Sequence, residues 1–126
     1  MMARALAISG LATMGLTGCA PAPEPVGFSV AKIDRMDDEL LNLVVQTDSE
    51  SQSDQLDQYA ACVAARYTLV TGYGFTRHIR TNRTNSGGTY RADAVYSITP
   101  TLPAGSRTLD AEVIAQNCAE LGIPSS

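Results

Sequence analysis

After its first twenty positions the sequence has no run of about 18 or more apolar residues, which excludes an internal membrane-spanning helix. Basic residues are in the minority. Nine Lys and Arg stand against 13 Asp and Glu, a formal net charge of −4, and a nucleic-acid binder ordinarily presents a net basic face. Histidine is nearly missing: His78 stands alone. There is no Gly-x-Ser-x-Gly and no His-x-x-Glu-His, and a lone imidazole is a poor start for a catalytic constellation or a transition-metal site. Asp37-Asp38-Glu39 lacks the alternating oxygen ligands, central Gly and terminal Glu of an EF-hand loop. Gly72-Tyr73-Gly74 is not followed directly by a helix and so does not form a phosphate loop. Asn82-Arg83-Thr84 matches the glycosylation triplet, a pattern short enough to arise by chance. What is present is 126 residues with 44% hydrophobic content, enough for one domain and too apolar for disorder throughout.

The N-terminus is the most informative stretch. Arg4 is its only charge, and Ala5 to Met14 is a small and apolar run of signal length. Leu16-Thr17-Gly18-Cys19 follows. This tetrapeptide resembles the lipobox of bacterial lipoproteins. The resemblance implies that residues 1–18 are removed, that Cys19 carries the lipid, and that the chain is held to a membrane by acyl chains. Ala20 stands where an aspartate favours inner-membrane retention in Gram-negative lipoproteins, so the resemblance points to the periplasmic face of the outer membrane. Residues 19–25 then act as a tether. Alternating prolines favour polyproline II, and six residues reach roughly 20 Å at about 3.1 Å each.

With Cys19 assigned to lipid by that resemblance, Cys62 and Cys118 remain, an even number in an exported and oxidising compartment. A disulfide between them is expected to contribute about 4 kcal/mol. The alternative is two separately buried thiols.

Residues 26–126 read as a single α+β domain. Val26–Asp34 and Glu39–Thr47 form a first hairpin around a turn at residues 35–38. Pairing Asp34 with Glu39 sets Phe28 opposite Val45 and Val30 opposite Leu43. Leu56, Tyr59, Ala60, Val63, Tyr67 and Val70 recur at helical spacing, for a helix from about Gln52 to Thr71 stopped by Gly72. Ser51 and Asp54 are a weak capping-box variant at its start. Phe75–Thr84 and Thr89–Thr99 form a second hairpin. A loop at Ser86-Gly87 puts Arg80 opposite Asp93 and His78 on the solvent side. Thr108 caps a last helix carrying Ile114, Cys118 and Leu121 on one stripe. The order β-β-α-β-β-α predicts a four-stranded antiparallel sheet with two helices on one face. Strand order 2-1-3-4 is preferred, because 1-2-3-4 needs a parallel central pair. Small envelope lipoproteins of unassigned role resemble this plan, down to a Gly-Tyr junction such as Gly72-Tyr73.

The function expected from these features is a membrane-anchored, non-enzymatic interaction or structural module of the cell envelope. It needs no cofactor or metal, and its partners are the membrane and an envelope protein. The alternative is a module that binds a small ligand or lipid headgroup through a basic hairpin, with Arg77, Arg80, Arg83 and Arg91 as candidate anion- or partner-binding residues.

Overall fold

The computed structural model describes residues 27–102 and 109–125. Eight elements follow one another: β1 (Phe28–Asp37), β2 (Leu40–Thr47), a 3₁₀ turn (Glu50–Gln55), α1 (Leu56–Val70), β3 (Phe75–Ser86), β4 (Thr89–Thr99), β5 (Leu109–Asp110) and α2 (Ala111–Leu121). The class is α+β, with one antiparallel sheet and two helices. The signal segment 1–18, Cys19, the tether to Pro25 and the Thr108 cap lie outside the described residues.

The sheet has five strands in the order β1-β2-β4-β3-β5. This corrects both the four-strand count and the expected order 2-1-3-4. The central pair is β2–β4, and it is antiparallel. Composition explains the arrangement. β2 and β4 carry the apolar residues that must be covered, while β1 and β3 carry the charges and Arg-rich positions that tolerate an outer place. The fifth strand is a two-residue pairing of Leu109–Asp110 with Phe75–Thr76, too short to leave a sequence pattern.

Both hairpins keep their expected partners but shift register. In the first, Phe28 faces Thr47 and Val30 faces Val45, with irregularities at Ala31 and Met36. The turn is Asp38-Glu39, held by the Glu39 N–H donating to Asp37 Oδ1 at 2.7 Å. In the second, the turn is Gly87-Gly88 rather than Ser86-Gly87. Both glycines have positive φ, 60° and 84°, as a two-residue turn of this kind needs at both central positions; Ser86 would be strained there. Arg80 therefore faces Val95, and Asn82 faces Asp93.

A bulge at Ile79 has the larger consequence. It shifts the pairing between His78 and Arg80, so that His78 faces Tyr96 and Arg77 faces Ser97. Successive side chains alternate between faces, so one extra residue exchanges the faces of everything before it. Thr76 and His78 turn to the helix side, and Arg77 turns away from it.

The core fills the space between the sheet and α1. Leu41, Leu43 and Val45 of β2, and Ala92, Ala94, Tyr96 and Ile98 of β4, meet Leu56, Tyr59, Ala60, Val63 and Ala64 of α1. The two alanines of β4 let α1 come close. Phe28 stacks on Tyr59 with ring centroids 4.9 Å apart. Helix α1 begins at Leu56, not Gln52. Ser53 Oγ donates to Glu50 O instead of supporting a helical cap, and such local side-chain bonds favour the 3₁₀ turn. Val70, expected on the buried stripe, is the last residue of α1 and 74% exposed. The cap of α2 is Asp110, whose side chain accepts from Glu112 N–H at 2.9 Å. Of the stripe proposed for α2, Cys118 is buried and Ile114 half-buried, but Leu121 is 63% exposed.

Candidate functional site

Cys62 lies mid-way along α1 and Cys118 in the last turns of α2. They are joined as a disulfide, with their Cα atoms 6.0 Å apart. The separation falls within the range that a bridge needs. Helix α2 buries only Ala111 and Cys118, so the bond is its main attachment at the C-terminal end. The Ile123 N–H also donates to Cys118 O at 2.9 Å, which closes the chain back over the same turn after Gly122.

The four arginines singled out in the sequence do not form one patch. Arg83 faces Ala92 on the helix side of the sheet. Its Nη2 lies 2.7 Å from Asp57 Oδ2 and its Nε donates to Asp57 Oδ1 at 3.2 Å. This two-point contact with α1 occupies both carboxylate oxygens, and the hydrogen bond to Asp57 pushes the Arg83 pKa up. Both partners are substantially exposed, so the pair adds little stability. Arg77, Arg80 and Arg91 are opposite Ser97, Val95 and Thr84, on the face that no helix covers. None of the three makes an ion pair among the described residues. Asp93 shares that face, but it accepts from Asn42 Nδ2 at 2.6 Å instead of from an arginine.

His78 lies in a groove of about 490 Å³ bounded by α1, β3, β4 and the start of α2. Its walls are Asp57 and Ala61, then Thr76, Thr81 and Tyr96, then Leu109 and Ile114. His78 packs edge-on against Tyr96, with centroids 5.3 Å apart, and its Nε2 is 2.6 Å from Thr81 Oγ1. Burial, with the negative charge of Asp57 adding to it, pushes the Tyr96 phenol well above its ordinary value. The bulge puts His78 on the helix-covered face instead of the opposite one, yet the side chain stays exposed at the mouth of the groove, as expected from the sequence. No signal in the residues around Ile79 announces the bulge. Within the groove two polar pairs are made, His78 with Thr81 and Asp57 with Arg83. The buried Thr76 Oγ1 has no partner.

Asp37, Asp38 and Glu39 do not converge as ligands. Asp37 is spent on the turn, and Asp38 O accepts from Arg35 Nη2 at 3.0 Å. Among the described residues no cluster of three or more His, Cys, Asp or Glu could hold a metal ion. Gly72 takes φ 86° at the end of α1, and Tyr73 behind it lies under the Arg35 guanidinium, 5.2 Å from the ring centroid.

The YNQ4 C-terminal domain family matches residues 28–122, from the first residue of β1 to the glycine that stops α2. The chain belongs to this family. Neither a curated protein nor a solved structure matches it significantly.

Proposed function

We propose that the chain is a lipid-anchored module of the bacterial cell envelope, held by Cys19 at the periplasmic face of the outer membrane, that works by contact with an envelope partner and not by catalysis. The observation that carries this reading is the division of its three cysteines. One follows the lipobox Leu16-Thr17-Gly18, and the other two are bonded to each other, as suits a chain exported to an oxidising compartment. Two or more acyl chains hold firmly where one binds marginally. The paired state of Asp57, Arg83, His78 and Thr81 supports a structural role for the groove.

Cys19→Ala tests the anchor. Its expected outcome is an unprocessed or soluble chain with no acyl label, read by metabolic labelling and membrane fractionation. Normal labelling and membrane retention in the variant would sink the reading.

A second reading rests on Arg77, Arg80 and Arg91, which share the helix-free face of the sheet. They suit phosphates of a lipid headgroup or small anionic ligand. Replacing all three with Gln, while Arg83→Gln serves as control, should lower retention on anionic vesicles relative to neutral ones. Equal retention of both variants on both vesicles counts against it.

A further inference from the structure

We propose that β1 is a self-complementary edge through which two copies of this chain pair antiparallel about Ile33. The inference goes beyond the anchor and holds whether or not Cys19 carries lipid.

β1 occupies the end of the sheet, and no described residue pairs with its outer side. An edge strand exposes a row of N–H and C=O groups that template pairing with another chain, and proteins usually blunt such edges with charges and bulges. β1 has both, but their placement leaves an opening. The two register irregularities fall at Ala31 and Met36 and flank the regular stretch Lys32–Arg35. Arg35 is not free to block an incoming strand. It turns to the helix side, where Nη2 donates to Tyr73 Oη at 3.1 Å and to Asp38 O.

The charges in that stretch select a partner. Lys32 and Asp34 lie on the same, helix-free side of β1, with Nζ 3.8 Å from Oδ2, and both are more than half exposed. Ile33 points to the other side and is 44% exposed. A two-fold axis at Ile33 sets Lys32 opposite Asp34 of the second copy, and Asp34 opposite its Lys32. It also places the two Ile33 side chains together. This is the isologous arrangement that closed dimers use. Directly opposite residues share a face of the sheet, so the registers that keep both helix layers on one side are centred on a residue. The neighbouring choices of that kind fail. Centring on Lys32 sets lysine against lysine, and centring on Asp34 sets aspartate against aspartate. The strand thus favours its own copy in one register and opposes it in the adjacent two. The joined sheet would have ten strands, with α1 of each copy on the same side.

The test uses charge exchange on the full chain in detergent, with mass measured by native mass spectrometry and sedimentation. The unaltered chain should form dimers. Lys32→Asp and Asp34→Lys should each weaken dimerisation by at least about tenfold, because each turns attractive pairs into repulsive ones. The two variants mixed should recover dimers made of one copy of each, since every 32–34 contact is then between opposite charges. Both positions are exposed, so circular dichroism should show the fold unchanged. A chain that stays monomeric at every concentration overturns the proposal and leaves the edge to a foreign strand. A dimer indifferent to both substitutions also overturns it and places the interface elsewhere.

Discussion

Tyr96 sits in the middle of β4 with 5% of its surface exposed, and burial helped by Asp57 holds its phenol protonated well beyond the usual range. Burial acts on Tyr59 in the same direction. The consequence for stability has a definite sign. In the unfolded chain a tyrosine ionises near pH 10. Below that value both states keep the proton, and the group adds no pH dependence. Above it the folded state binds more protons than the unfolded state, so stability falls as pH rises. Tyr96→Phe should therefore flatten the loss of stability above about pH 10 and leave Tyr59 to supply the remainder. Urea unfolding at several alkaline pH values measures it, and an unchanged slope would show that Tyr96 ionises freely. At this scale the sequence was partly legible. The second hairpin was located, and the buried face of β4, with Ala92 and Ala94 under α1, follows from its alternation. His78 did not announce its face, because a single bulge in β3, one strand from the centre, decides which way it points.

The hairpins show what governs an element. Their strands were readable from β-branched and aromatic alternation, but register depends on the turn, and the turn depends on which residues accept positive φ. Gly87 and Gly88 both do so, with φ 60° and 84°, and a Cβ built on either meets nothing within 4 Å. Backbone preference alone therefore decides substitutions here. Asn tolerates the left-handed region and favours the first central position of such turns, so Gly87→Asn should be neutral or raise stability by up to about 1 kcal/mol, through a less flexible unfolded chain. A β-branched residue does not tolerate it, and Gly88→Val should cost about 1–3 kcal/mol. Thermal unfolding of the two variants should move in different directions or by clearly different amounts. A common small shift would mean that the turn is not held in this form. Helix limits were less legible than strand limits. The polar run before Leu56 contains side chains that bond to their own backbone, and these shorten α1 from the N-terminal side.

At the scale of the whole molecule, the expected class held and the strand order did not. The expected order placed β3 beside β1 to keep the sheet antiparallel, but burial decides otherwise: the two most apolar strands take the centre, and β4 lies beside β2 although α1 and β3 separate them along the chain. The terminal helix is the part that the layered core does least to hold. It packs on α1 and β5, buries only Ala111 and Cys118, and exposes Val113 and Leu121. The disulfide closes a loop over a sequence separation of 56 residues and joins this helix to the middle of α1. Removing it with Cys62→Ala and Cys118→Ala together should cost about 2–5 kcal/mol, partly through the freer unfolded chain and partly through a loosened helix. The two contributions separate by hydrogen exchange. Amides of α2 should lose protection to local opening, while those of β2 and β4, which exchange only through global unfolding, should fall by the global loss alone. Uniform loss in both places would mean that α2 unfolds with the core as one unit. An unchanged midpoint in denaturant would mean that the bond adds nothing to this fold.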